Sequence, residues 1–191
     1  MKFTCEKAVL NEAISICIHA VATKSTIAVL EGLLITAEDE LTLCGYNFKT
    51  GIKKTFPAKI SEKGSIVLNA KIFSDIVRKL PDDMVEIVCD DHYMTTIRCG
   101  LSEFNLIGAS PAEFPELPNV EKSQGIKLSC KLLRSMIDHT VFAVSDNENK
   151  PIHTGSLFDV EGNSLTVVSV DGYRLALRRE DVAEKKGADA F

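Results

Sequence analysis

Ile126-Lys127-Leu128-Ser129-Cys130, with a helical pattern behind it, repeats the opening of the chain, Met1-Lys2-Phe3-Thr4-Cys5, which also runs into a helix. Further on, Gly155-Ser156-Leu157-Phe158 repeats Gly32-Leu33-Leu34-Ile35. Leu165-Thr166-Val167-Val168-Ser169-Val170-Asp171 likewise repeats Leu41-Thr42-Leu43-Cys44-Gly45-Tyr46-Asn47. Taking Cys5 with Cys130, Gly32 with Gly155 and Leu41 with Leu165, the spacings are 125, 123 and 124 residues. A middle copy opens at Ser65-Ile66-Val67-Leu68-Asn69. Self-similarity over such distances reads as a duplicated module and points to a symmetric assembly.

Each copy reads as strand, helix, strand, strand, strand. The first helical run, 6–22, places Val9, Leu10, Ala13, Ile14, Cys17 and Val21 on one stripe. Strands follow at 31–37, 41–46 and 51–56, and Pro57 ends the last. The middle copy has a strand at 65–69 and a helix at 71–80 with Ile72, Phe73, Ile76, Val77 and Leu80 inward. Pro81-Asp82-Asp83 stops that helix, and strands follow at 85–89, 94–99 and 103–107. The third copy has a strand at 126–130, a helix at 131–144 and strands at 154–160, 164–170 and 174–180. Its helical stripe is Leu132, Leu133, Met136, Ile137, Thr140, Val141 and Val144, and the tail from 183 to 187 is polar. The fold class is therefore α+β, with helices on one face of antiparallel sheets and pairs of copies sharing a core. The proline-rich stretch 110–118 reads as a linker. The organisation expected is a first domain at 1–119, a linker at 120–125 and half of a second domain at 126–191.

Composition is that of a soluble globular protein, with 45% hydrophobic and 26% charged residues. No run approaches the ~20 apolar residues of a membrane span, and the first residues lack a signal-peptide core, so a cytoplasmic location is expected. The six cysteines form no CxxC pair and read as buried reduced thiols. His19, His92, His139 and His153 have no metal-ligand spacing, and Asp90-Asp91-His92 reads as a polar turn. None of the nucleophile-elbow, phosphate-loop, dinucleotide or zinc-protease motifs occurs. That argues against an enzyme, such as a small hydrolase, and implies neither a metal nor another cofactor.

Ser169-Val170-Asp171-Gly172-Tyr173-Arg174-Leu175-Ala176 would by itself be a hairpin turn between two strands. It occurs, however, together with Met1-Lys2-Phe3-Thr4, Leu30-Glu31-Gly32-Leu33-Leu34-Ile35, Phe73-x-x-Ile76-x-x-x-Leu80-Pro81 and Phe104-x-Leu106 followed by Pro111-Ala112-Glu113-Phe114-Pro115. In this order and spacing the chain resembles the bacterial DNA polymerase III β subunit, the replication sliding clamp, over residues 1–180. The resemblance implies the DNA-clamp fold and covers the first domain and the first half of the second. It implies a processivity factor that encircles duplex DNA without sequence specificity. It also implies docking of polymerase and clamp-loader peptides and a homodimeric ring when full length. The alternative is a truncated clamp-like protein that binds replication partners without encircling DNA. The loop Ser25-Thr26-Ile27-Ala28 departs from the family, where prolines are usual.

The charge pattern suits a clamp, which needs diffuse phosphate attraction without base readout. Overall charge is −5, yet the second helix carries Lys71, Arg78 and Lys79 against Asp75, and the third carries Lys131 and Arg134 against Asp138. Basic helices inside an otherwise acidic shell would retain DNA within and repel it outside. The resemblance places DNA contacts at Lys24, Asn149 and Lys150, and the helical candidates are Lys71, Lys79, Lys131 and Arg134. Asn149-Lys150-Pro151-Ile152 is close to the Arg-Pro-Ile common in the family. By resemblance, His153, Val170, Gly172, Tyr173, Arg174 and Leu175 form one wall of a peptide cleft. Ile76, Phe104 and Leu106 fall where the ring interface is expected, although core packing explains Ile76 equally well.

Overall fold

The computed structural model describes residues 1–120, 125–182 and 184–186. The chain divides into two compact units, Met1–Pro118 and Asn119–Phe191. Antiparallel sheets with a few helices make each unit α+β.

The first unit runs β1 (Lys2–Glu6), α1 (Lys7–Cys17), β2 (Gly32–Ala37), β3 (Leu41–Tyr46), β4 (Gly51–Phe56) and β5 (Lys59–Glu62). It continues with β6 (Gly64–Asn69), α2 (Ala70–Lys79), β7 (Met84–Cys89), β8 (Met94–Cys99) and β9 (Ser102–Ile107). The first helix is shorter than its apolar stripe: α1 stops at Cys17 and a 3-10 turn, Ile18–Ala20, follows. In α2 the Asn69 side chain accepts from the Ile72 N–H at 3.1 Å, satisfying a donor that a helix start otherwise leaves orphaned. Ile72, read as inward, is instead 49% exposed, and Phe73 and Val77 carry the buried stripe.

The two repeats exchange their leading strands. One sheet has the order β5-β1-β7-β8-β9 and the other β4-β3-β2-β6. Thus β1, which opens the first repeat, lies beside β7 of the second, and β6, which opens the second, lies beside β2 of the first. Both crossings have the same register: Phe3 faces Ile87, and Ile66 faces Ile35. A single core results, in which Phe3, Leu10 and Ile14 bury with Phe73, Val77, Ile87 and Ile97, all of them 0% exposed. A lone repeat of this size buries too little apolar surface to be stable, and sharing strands solves that shortage.

Residues 110–118 are not a linker. A 3-10 turn, Pro111–Glu113, carries Phe114 into a second cluster with Val29, Cys44, Tyr46 and Val67. Ala109 and Val67 tie this segment to β6 by paired backbone bonds of 2.8 and 3.2 Å. Of the expected linker at 120–125, residues 121–124 lie outside the described residues.

The second unit has β10 (Gly125–Lys127), α3 (Cys130–Asp138), β11 (Leu157–Glu161), β12 (Ser164–Val170), β13 (Leu175–Asp181) and β14 (Glu184–Lys186). The expected helix to 144 ends at Asp138, and a separate 3-10 turn, Val141–Ala143, follows. Thr140 turns its hydroxyl back onto the carbonyls of Met136 and Ile137, at 2.9 and 3.3 Å, a local bond that competes with helix continuation. Val141, expected inward, is 50% exposed. The polar tail contains β14, which pairs with β10. Residues 183 and 187 of that tail lie outside the described residues.

The helix caps correct the repeat spacing. Glu6, Asn69 and Ser129 each precede a helix, so equivalent positions lie 63 and 123 residues after the first copy. Cys5 therefore matches Leu68 and Leu128, not Cys130. The match at 125 is a two-residue slip, which the two-residue period of a strand leaves invisible in sequence. Cys130 opens α3 and is exposed, whereas the other five free cysteines are buried as expected.

Candidate nucleic-acid interface and peptide-docking surface

In the first unit, Lys71 is the second residue of α2 and Lys79 the last, both exposed. Lys24 is exposed in the loop that follows the 3-10 turn after α1. Glu31 anchors this loop by accepting from the Ser25 N–H at 3.0 Å. A depression of about 270 Å³ is lined by Val21, Ala22 and Thr23 of the loop and by Asn69, Ala70 and Lys71. The loop carrying Lys24 thus approaches the start of α2. Arg78 is engaged by Asp75 at 2.6 Å on the exposed surface.

In the second unit, Lys131 is the second residue of α3, and Arg134 reaches Asp138 at 3.8 Å. Asn149 and Lys150 are exposed in a loop folded by its own bonds. Asn147 accepts from the Asn149 N–H with its side chain and from the Lys150 N–H with its carbonyl, both at 3.1 Å. The Ser145 N–H closes the loop on the His153 carbonyl at 2.9 Å. None of Lys24, Lys71, Lys79, Lys131 and Lys150 makes an ion pair among the described residues.

Lys71 and Lys131 occupy the same repeat position, the second residue of a helix. A cation there is disfavoured by the helix dipole, so neither lysine serves helix stability.

The second surface centres on the hairpin joining β12 to β13. Val170 pairs with Leu175, leaving Asp171 to Arg174 as the loop. The Asp171 carboxylate accepts from the Tyr173 and Arg174 N–H groups at 2.9 and 3.0 Å and from Arg174 Nε at 2.7 Å. These bonds, the backbone ones first, lower its pKa below 3.8. Gly172 takes φ +94°, a conformation that disfavours a side chain. Tyr173 then projects fully into solvent, and Leu175 is 64% exposed. The Arg174 guanidinium lies 5.9 Å from the Phe142 ring centre. Val170 and His153 are half-buried, His153 closing the 3-10 turn Pro151–His153. Phe142 is an addition to the expected set: in sequence it falls between two residues of a presumed helical stripe, but the helix has already ended.

Phe104 and Leu106 lie on β9, which among the described residues has only β8 as a strand neighbour. Phe104 is 40% and Ile107 78% exposed, so this edge presents apolar side chains beside the exposed Glu103 and Asn105. Ile76 and Leu106 pack partly against the core. Among the described residues no group of three or more His, Cys, Asp or Glu side chains is placed to hold a metal ion. Nor is any helix among them long and apolar enough to cross a membrane.

Interlocked β-α-β-β-β repeats with basic helix starts define a DNA-clamp fold. Residues 1–118 match the family described as the DNA polymerase III beta subunit, N-terminal domain, and residues 127–190 match its central domain. The chain is 40% identical over 188 residues to the beta sliding clamp of Bacillus subtilis strain 168, covering 94% of this chain and 50% of that protein. It is 38% identical over 191 residues to the beta sliding clamp of Halalkalibacterium halodurans, covering 95% and 50%. Among solved structures, a putative DNA polymerase III beta subunit from Eubacterium rectale superposes with TM-score 0.93 at 40% identity, covering 98% of this chain and 52% of that one. The sliding clamp of Bartonella birtlesii, solved bound to griselimycin, gives TM-score 0.87 at 27% identity, covering 95% and 50%. The chain belongs to the DNA polymerase III β-subunit family, the sliding clamps of DNA replication. It spans about half the length of the curated relatives it matches.

Proposed function

We propose that this chain forms part of a processivity ring that encircles duplex DNA in the cytoplasm and docks polymerase and clamp-loader peptides. On this reading the first unit is a complete clamp domain and the second is half of another. The observation that carries the DNA role is the pair Lys71 and Lys131, exposed, without ion pairs and repeated at the second position of α2 and α3. Lys24, Lys79, Lys150 and Arg134 extend the same diffuse attraction, with the neutral Asn149 offering a hydrogen bond beside Lys150, which suits sliding because phosphates carry no sequence information. The open edge of β9, with exposed Phe104 and half-buried Leu106, supports a ring interface to another chain; Ile76 serves the core as much as that interface.

The docking role rests on the hairpin of Gly172, Tyr173, Arg174 and Leu175, with Val170 and His153 beside it. It combines exposed apolar side chains with a rigid polar turn, the pattern of a peptide-binding wall. This surface also favours the second reading, a clamp-like chain that binds replication partners without encircling DNA. Fluorescence anisotropy with two duplexes of unrelated sequence tests the first reading. Equal, salt-sensitive binding is expected; strong preference for one sequence, or no binding at low salt, overturns it.

A further inference from the structure

The loop that carries Lys24 lies between two 3-10 turns, Ile18–Ala20 and Ala28–Glu31. Its base is closed by the backbone: the Ala22 N–H donates to the Leu30 carbonyl at 2.9 Å, and the Leu30 N–H to the Ile27 carbonyl at 3.1 Å. The tip is held differently. Thr23, Lys24 and Thr26 are exposed and Ser25 is half-buried. The Ile27 N–H donates to Ser25 Oγ at 3.1 Å, a bond that stays inside the loop. Among the described residues, the hydrogen bond that joins the tip to the rest of the unit runs from the Ser25 N–H to Glu31 Oε1, at 3.0 Å.

Glu31 itself stands on a fixed frame. Gly32, the next residue, opens β2 and faces Asn69 of β6. A Cβ on Gly32 would meet Val67 Cγ1 at 2.5 Å, so the packing there is tight. Asn69 is also the residue whose side chain caps α2, and Lys71 follows two residues later. Glu31, Asn69, Ala70 and Lys71 line one depression with Thr23 of the loop. Glu31 therefore fastens the tip of the Lys24 loop to the frame that carries Lys71.

A carboxylate close to a phosphate-attracting surface opposes that attraction, so charge alone gives Glu31 no use there. Its bond does. The carboxylate makes no ion pair among the described residues and is engaged by the Ser25 N–H, a charge-assisted bond roughly twice as strong as a neutral one. A loop arranged in advance loses less conformational freedom on binding and so binds more tightly through the same contacts. Taking the proposed DNA role of these lysines as given, we infer that Glu31 is a positioning residue. It holds the Lys24 loop beside the start of α2, so that Lys24 and Lys71 meet the duplex as one pre-arranged pair. Glu31 touches no phosphate itself.

Glu31→Gln and Glu31→Ala separate the charge from the bond, since glutamine keeps the acceptor oxygen and alanine removes it. Both lose the negative charge, and only Glu31→Ala loses the hold on Ser25. The readout is the slope of log affinity against log salt on a mixed-sequence duplex, measured with and without Lys24→Ala. In the native chain and in Glu31→Gln, Lys24→Ala should lower that slope by about 0.9, the contribution of one phosphate contact. In Glu31→Ala the same change should lower it by less than half as much, because the loosened loop no longer holds the lysine at a phosphate. Amide exchange at Ser25 should quicken by about tenfold or more in Glu31→Ala and stay near native in Glu31→Gln. If Glu31→Ala loses its circular dichroism spectrum, Glu31→Asp takes its place, keeping the charge but falling one methylene short of Ser25. An equal Lys24 contribution in every background overturns the positioning role and leaves the DNA role standing. No contribution from Lys24 in the native chain overturns the DNA role of that lysine and the positioning role with it.

Discussion

Truncating one side chain of the second repeat should loosen the first repeat as well. Phe73 lies in α2, is 0% exposed and packs in a cluster with Phe3, Leu10, Ile14, Leu33 and Ile35 from the first repeat and Val85, Ile87 and Ile97 from the second. Phe73→Ala removes most of a phenyl ring from a site with no solvent access, at a cost of about 3–5 kcal/mol. A domain of this size has a total stability of only about 5–15 kcal/mol, so the loss is a large fraction of it. Because 1.4 kcal/mol is a factor of ten, the slowest-exchanging amides should exchange about 10²- to 4 × 10³-fold faster. The strand exchange dictates where. With β1 held by β7 and β6 held by β2, neither repeat can open without breaking a sheet of the other. Native-state hydrogen exchange, read residue by residue, should therefore show equal loss of protection in β2 and β3 and in β7 and β8. Acceleration confined to β7–β9, with β3 unchanged, would refute the shared core. A cost below about 1 kcal/mol in urea would refute the packing assigned to Phe73.

Other consequences follow from single groups. Gly45→Ala would place its Cβ 2.3 Å from the Cys17 carbonyl oxygen, a backbone atom that cannot swing away. A loss of about 1–3 kcal/mol in urea denaturation is expected, and a neutral result would contradict the close approach of β3 to the end of α1. Burial pushes the Cys5 thiol up from 9.0 to about 12, with the Glu6 carboxylate adding to the rise, and Cys44 up to about 11. The unfolded chain loses these protons near pH 9 while the folded one keeps them, so stability should fall as pH rises from about 9 toward 12. At pH 8 a thiol reagent should modify Cys130 quickly and the five buried cysteines only after denaturation. Asp171→Asn should speed amide exchange at Tyr173 and Arg174 while leaving the β12–β13 ladder protected. Acid acts the same way on the native residue: its lowered pKa means the contribution is present above 3.8 and lost as pH falls through the folded value.

Much of the architecture was legible because apolar periodicity is local. The strands at 41–46, 94–99 and 164–170 fall where alternation placed them, and α2 begins one residue before its expected start. Strand β5, Lys59-Ile60-Ser61-Glu62, offered a single large apolar residue after Pro57, too little pattern to read. The overlong helices at 6–22 and 131–144 have a common cause, since a 3-10 turn can prolong an apolar stripe after the α-helix has ended. The strand exchange was not legible at all. Pairing partners such as Lys2 and Val88 are chosen by the assembled core, and no property of either segment announces the other. Among site residues, Gly172, Tyr173 and Arg174 stood out through a short motif. Phe142 became visible only when the fold brought the Arg174 guanidinium over its ring.

The proposed DNA role turns on Lys71 and Lys131, and salt dependence reads it most directly. Each lysine that neutralises a phosphate adds about 0.9 to the slope of log affinity against log salt for duplex DNA. Replacing both lysines with alanine should lower that slope by about 2 and weaken binding equally on unrelated duplexes. An unchanged slope in the double variant, with the protein still folded, would contradict the assignment of these two helix starts to the DNA-facing surface.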